Sequence, residues 1–146
     1  MFPSIQQMTV LENSTLRDAI AMIDGNAQGI VFIVDQNNKL LSVLTDGDIR
    51  RSLLKGSTLQ TKVIEAMNKN FVQCSVGTPP EKIIALLNND IRHIPIVDAD
   101  LRLVDYACLS RLHYIPVTEP SLGGNELNYV ISCIQSTWIS SQGKYV

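Results

Sequence analysis

No apolar run in this chain approaches the length of a membrane span, and its start shows no basic stretch followed by an apolar one. A transmembrane helix and a signal peptide are therefore not expected, and no membrane partner is. Positive charge is not in excess either. Twelve Lys and Arg stand against 14 Asp and Glu, for a formal charge of -2 and a pI near 5.6. Nucleic-acid binding needs clustered basic residues, so none is expected. Cysteine is scarce: Cys74, Cys108 and Cys133 form an odd, dispersed set. Such a set makes a poor disulfide framework and points to a reducing, cytoplasmic setting. Neither His93 nor His113 has a Cys or His at zinc spacing, and no metal site is expected. What remains is a globular composition, 45% apolar and 18% charged over 146 residues. That length suits one domain, or two small units sharing a core.

The most informative stretch runs from Thr45 to Gly56, Thr-Asp-Gly-Asp-Ile-Arg-Arg-Ser-Leu-Leu-Lys-Gly. An apolar strand, 40–44, leads into a hydroxyl, two carboxylates and two guanidinium groups before a helix-forming segment. A hydroxyl and a carboxylate three residues apart at a strand-to-helix junction suit a sugar diol: Asp48 can accept both ribose hydroxyl protons, and Thr45 adds a further hydrogen bond. The same pair also reads as an N-cap completed by a carboxylate at the third helical position. The two roles are compatible, because the cap holds the carboxylate near the partly positive end of a helix.

Shifted by 63 residues, the sequence aligns with itself without a gap. Thr15 falls on Thr78, Ile20 on Ile83, Asn26 on Asn89, Leu40 on Leu103, and Ile33-Val34-Asp35 on Ile96-Val97-Asp98. Two copies of one supersecondary unit, each covering what the other would expose, are implied. In each copy a hydroxyl, Thr15 or Thr78, is expected to cap a helix. In the second copy Pro follows at the first helical position and Glu81 at the third. Short continuous apolar strands follow, 30–34 and 40–44 in the first copy, 94–97 and 103–108 in the second. Turn-forming Asp35-Gln36-Asn37-Asn38 and Asp98-Ala99-Asp100 separate them. Continuous rather than alternating apolar strands predict sheets covered on both faces. The expected fold is mixed α/β (α+β), a β-α-β-β-α unit used twice.

These residues resemble a tandem of CBS domains, the regulatory pair called a Bateman module, over about residues 5–114. Val43-Leu44-Thr45-Asp46-Gly47-Asp48-Ile49 is similar to the family's ribose motif, a strand followed by Ser or Thr, two variable residues and Asp. Arg92-His93-Ile94-Pro95-Ile96-Val97-Asp98 resembles the second-copy strand whose basic residues often face phosphates, and Met67-Asn68-Lys69-Asn70 its entry into the second unit. The run from Thr45 to Gly56 looks most like CBS pairs attached to sugar nucleotidyltransferases. The resemblance implies a pseudo-twofold pair with units at 1–60 and 61–114, a homodimer, and an adenine nucleotide (AMP, ADP or ATP) as regulatory ligand rather than an intrinsic cofactor. It implies that Thr45 and Asp48 hold ribose, that Arg92, His93 and one of Arg50 and Arg51, Arg51 being the nominee, meet phosphate, and that the chain around Ile94 flanks the base. His93 also reads as a structural histidine beside an apolar strand, and the arginines as a solvated helix face. In the second copy Cys108 and Arg111 replace Thr45 and Asp48, so one of two nucleotide sites is expected to be degenerate.

Residues 115–146 do not belong to the repeat. A Pro- and Gly-rich segment leads to an amphipathic helix opened by Asn125 and Glu126, and then to Trp138-Ile139-Ser140 and Gly143. This stretch resembles the start of pyridoxal-phosphate nucleotide-sugar aminotransferases. It reads either as the truncated beginning of such a domain or as a helix that covers the pair. Thirty-two residues cannot hold that enzyme's cofactor fold, so the chain is expected to be a non-catalytic module controlling an attached or associated sugar-modifying enzyme. The alternative is a ligand-free dimerisation tether for the aminotransferase-like domain.

Overall fold

The computed structural model describes residues 2–112 and 125–135. The chain divides into one compact unit, Met1–Tyr114, and another, Ile115–Val146. In the first, a short 3-10 turn, Ile5–Met8, leads into β1 (Thr9–Leu11), α1 (Leu16–Asn26), β2 (Ile30–Val34), β3 (Leu40–Thr45) and α2 (Asp46–Leu54). A connecting helix, α3 (Val63–Ala66), precedes β4 (Cys74–Ser75), α4 (Pro80–Leu86), β5 (His93–Val97), β6 (Leu103–Cys108) and α5 (Leu109–Leu112). In the second unit, α6 spans Glu126–Gln135 with Tyr129, Val130, Ile131 and Ile134 exposed. The expected extended segment 115–124 and the loop from Trp138 lie outside the described residues.

Two three-stranded sheets result, ordered β1-β2-β3 and β4-β5-β6, each with one parallel and one antiparallel pairing. The repeat is visible residue by residue. Ile30 opposite Thr45 recurs as His93 opposite Cys108, and the irregularity between Ile33 and Val34 recurs between Ile96 and Val97. Both hairpin turns are closed by the same device: Asp35 Oδ1 accepts from the N–H groups of Asn37 and Lys39, and Asp98 Oδ1 from those of Asp100 and Arg102. Asn38 and Leu101 hold matching left-handed conformations, φ 61° and 63°. At the pseudo-twofold axis Leu40 N–H donates to the Leu101 carbonyl and Leu103 N–H to the Asn38 carbonyl, both at 2.9 Å.

The gapless alignment holds for the strands but not for the entry to each helix. Glu12 N–H donates to the Val34 carbonyl and Val76 N–H to that of Val97, a spacing of 64 rather than 63. The N-caps are accordingly Thr15 and Pro79, so Thr78 is not the cap expected from the sequence. Its hydroxyl donates instead to the Ser75 carbonyl at 2.7 Å, and Pro80 takes the first helical position. Thr15 does cap α1: its Oγ1 accepts from Asp18 N–H at 3.3 Å while Asp18 Oδ2 accepts from Thr15 N–H at 2.8 Å.

The continuous apolar strands are covered on both faces, except at Val104 of β6, which is 43% exposed. In β2, Ile30, Phe32 and Val34 point into a core shared by the two sheets, with Val43, Val97, Leu103, Tyr106 and Cys108. Val31 and Ile33 point the other way, onto Leu16, Ala19 and Ile23 of α1 and Ile49 of α2. A smaller layer of Cys74, Ile83, Leu87, Ile94 and Ala107 backs the second sheet. Period-2 orientation of strand side chains thus sorts one apolar run into two cores. Each fully buried Leu, Ile or Phe contributes about 1.5–3 kcal/mol.

Candidate functional site

The pairing of Ile30 with Thr45 places the α1–β2 turn beside the β3–α2 junction. The first residues of α2 are held there by the Asp46 N–H, which donates to the Gly29 carbonyl at 3.1 Å. The segment entering the second repeat is fixed to β3: Asn68 N–H donates to the Val43 carbonyl at 3.0 Å, and the buried Ser42 hydroxyl donates to the Asn68 carbonyl. The α4–β5 turn of the second repeat completes the surround. Between these four segments lies a cleft of about 580 Å³. Thr45, Asp46, Gly47 and Arg50 form one wall, Asn68, Asn70 and Phe71 another, and Arg92, His93 and Gln28 a third.

Of the residues expected from the sequence, Thr45, Arg92 and His93 line the cleft, whereas Asp48, Arg51 and Ile94 are not among its lining residues. Asp48 lies directly behind the rim, in a complete capping box. Its Oδ2 accepts from Thr45 N–H at 3.0 Å and from Thr45 Oγ1 at 2.6 Å, while Thr45 Oγ1 accepts from Asp48 N–H at 3.2 Å. Its Oδ1 accepts from Arg51 Nη2 at 2.7 Å. The Ile94 side chain is fully buried in the helix layer, which leaves only its backbone to face a ligand. Of the two arginines in the run, Arg50 lines the cleft. Neither Arg50 nor Arg92 belongs to an ion pair among the described residues, and neither do Asp46 and Asp90. The cleft therefore presents two cations and two carboxylates outside any ion pair, Arg92 Nε donating only to the Asn89 carbonyl at 3.3 Å, together with amides and apolar walls, a mixture able to take a polar ligand carrying both an anionic group and a flat apolar part.

His93 is held from both repeats. Its Nε2 lies 3.1 Å from Gln28 Oε1, and its ring lies 6.0 Å from the Tyr106 ring. Burial, seconded by the Arg92 charge, pushes the imidazole below its usual value and favours the neutral form. The hydrogen bond then has Nε2–H donating to the Gln28 oxygen. Gln28 and Phe71 carried no motif, and Asn68 and Asn70 only that of the entry into the second unit; all four reach the cleft because segments distant in sequence converge.

The matching place in the second repeat is filled from within. Cys108 Sγ contacts Ser110 Oγ at 3.3 Å. Arg111, at the position of Asp48, donates to Asp105 Oδ1 at 2.8 Å and to the Tyr106 carbonyl, and its guanidinium lies 4.4 Å from the Tyr106 ring centroid. No acceptor for a sugar diol remains at that position. Cys74 and Cys108 are buried and unbridged. Among the described residues no cluster of His, Cys, Asp and Glu is arranged to hold a metal ion, and no helix is long and apolar enough to cross a membrane.

Two sheets with helical outer layers, related by a pseudo-twofold axis and enclosing a cleft between repeats, define a tandem-repeat α+β module. Residues 3–55 and 63–107 match the CBS domain family, and the chain belongs to it as a tandem pair. The fold is similar to a CBS domain protein from Pyrobaculum aerophilum solved in complex with AMP, with a TM-score of 0.62 and 17% identity over 75% of this chain and 85% of that one. It is also similar to the cytosolic domain of the Mg2+ channel MgtE in complex with ATP, with a TM-score of 0.59 and 24% identity over 70% of this chain and 42% of that one. A GDP-perosamine synthase of Escherichia coli O157:H7 is 57% identical over 35 residues, 24% of this chain and 10% of that protein. Arabinose 5-phosphate isomerase GutQ of Salmonella typhimurium is 30% identical over 95 residues, 64% of this chain and 30% of that protein. The chain thus spans about a tenth of the GDP-perosamine synthase it matches and under a third of the isomerase.

Proposed function

We propose that this chain is a non-catalytic regulatory module whose inter-repeat cleft binds one adenine nucleotide, AMP or a close relative, and passes its occupancy to an attached or associated nucleotide-sugar enzyme. The observation that carries the reading is the Thr45–Asp48 capping box at the rim of a cleft that also holds Arg50 and Arg92, neither of them in an ion pair among the described residues. Thr45 and Asp48 take the ribose. Arg92 and one of the pair Arg50 and Arg51 take phosphate, with His93 beside them. Phe71, Ile91 and the backbone around Ile94 flank the base. The AMP and ATP complexes of the structurally similar CBS proteins support the choice of ligand. The short match to GDP-perosamine synthase supports an aminotransferase-like neighbour, and the chain is divided in this reading at 1–60, 61–114 and 115–146. The buried, unbridged cysteines suit a reducing cytoplasm.

Titration calorimetry and thermal shift with adenosine, AMP, ADP, ATP, CMP and S-adenosylmethionine test this. The expected outcome is one site per chain, with adenine nucleotides preferred. At a hundred times Kd, binding raises stability by about 2.7 kcal/mol. A flat panel favours the second reading, a dimerisation tether. That reading draws on Ile64, Ile84, Leu86 and Leu109, which are exposed on the helices. Both readings include a homodimer, and a strict monomer by light scattering contradicts it.

A further inference from the structure

The carboxylate assigned to ribose is already occupied. A carboxylate offers about four lone-pair sites. Thr45 N–H and Thr45 Oγ1 take the two on Oδ2, and Arg51 Nη2 takes one on Oδ1. One site is left, whereas a ribose diol donates two hydrogen bonds. The Thr45 bonds belong to the capping box at the start of α2 and cannot be given up without a cost of about 1 kcal/mol in helix stability. The Arg51 bond can. The Asp48 side chain is 12% exposed and that of Arg51 66%, so the guanidinium lies in solvent on the outside of the pair. Its path crosses Gly47, where a Cβ would stand 3.2 Å from Arg51 Nη1, so the bare glycine provides its seat.

We infer that Arg51 is a removable latch on the ribose carboxylate: it holds Asp48 Oδ1 in the ligand-free protein and must leave before both hydroxyls of a nucleoside can bind. This rests on the nucleotide reading above and changes the part played by Arg51 in it. Arg51 sets affinity through Asp48, as a positioning residue, and is available to phosphate only after release. The second repeat shows the fixed counterpart. Arg111 makes two hydrogen bonds and a ring contact, with its side chain 31% exposed, so that place is shut by a half-buried arginine with several partners where the first is shut by an exposed one with a single ion pair.

A ligand that breaks an ion pair on binding gains affinity when that pair is already gone. Adenosine isolates the effect because it has no phosphate for Arg51 to meet. Calorimetry with adenosine on the whole chain is expected to show Arg51→Met binding about two- to fivefold more tightly than the native protein, the range for an exposed ion pair. Salt gives a readout that a structural role would not move. Adenosine is uncharged, so raising salt should tighten its binding to the native protein by screening the Arg51–Asp48 pair, and leave binding to Arg51→Met unchanged. Equal or weaker adenosine binding by Arg51→Met, or the same salt response in both proteins, overturns the latch while leaving the nucleotide site intact. A native protein that binds neither adenosine nor AMP removes the site and the latch together.

Discussion

Removing the Asp48 carboxylate separates its two jobs. In Asp48→Ala the three hydrogen bonds from Thr45 N–H, Thr45 Oγ1 and Arg51 Nη2, at 3.0, 2.6 and 2.7 Å, all vanish. The Thr45 hydroxyl still accepts from the residue 48 N–H, so half of the capping box survives. Loss of the other half should cost about 1 kcal/mol, the middle of the range for cap deletions. For a chain of this size that lowers Tm by about 2–4 °C. Binding should suffer more. Hydrogen bonds to a charged acceptor are worth about 1.5–3 kcal/mol, which weakens AMP roughly 10- to 150-fold. Because the latch disappears with the carboxylate, a few-fold of that loss is returned. Asp48→Asn keeps the shape and one acceptor and should fall between the two. Titration calorimetry with AMP and thermal melts followed by circular dichroism measure both effects on the same samples. If Asp48→Ala melts lower by the expected amount yet binds AMP as tightly as the native protein, the carboxylate is a cap and nothing else, and the ribose assignment is wrong.

Tyr106 is 2% exposed and its hydroxyl donates to the Pro3 carbonyl at 3.0 Å, so Tyr106→Phe should cost about 1 kcal/mol in urea denaturation and loosen the N-terminal residues to proteolysis. His93 has its folded pKa depressed below the usual 6.5, so the folded state resists protonation that the unfolded chain accepts. Its contribution is fully present above pH 6.5 and is lost as pH falls through that value toward the folded pKa, and His93→Gln should flatten that part of a stability–pH curve. Leu101 is 51% exposed at φ 63°, the conformation its counterpart Asn38 adopts more readily. Leu101→Asn should therefore stabilise the fold by up to about 1 kcal/mol in the same denaturation assay.

The sequence showed most where one residue acts on near neighbours. Thr15 with Asp18 and Thr45 with Asp48 form the same four-residue device, and both are capping boxes in the structure. Continuous apolar strands announced two covered faces, and the repeat announced two sheets. It failed where local chemistry offered equal alternatives. Ser75-Val76-Gly77-Thr78-Pro79-Pro80 provides a hydroxyl before proline, but Gly77 at φ 84° turns the chain so that Thr78 closes the loop and the helix begins one residue later than expected. Asp48 and Arg51 are separated by one helical turn, which permits their ion pair, yet spacing alone does not say that the pair consumes the acceptor a ligand needs. Gln28 could not be found at all. Its partner His93 is 65 residues away, and only the packing of one repeat on the other brings them together.

The reciprocal hydrogen bonds between the hairpin turns, Leu40 to Leu101 and Leu103 to Asn38, use main-chain atoms alone. Such a contact does not depend on which side chains the two halves carry. A single repeat meeting a second copy of itself would make the same two bonds across a true twofold axis, so the junction suits duplication without redesign. Once the halves are tethered in one chain, substitution in one no longer has to be matched in the other. Thr45 and Asp48 in one half, and Cys108 and Arg111 in the other, are what that freedom permits: a shared frame with a carboxylate at one junction and a guanidinium at the other.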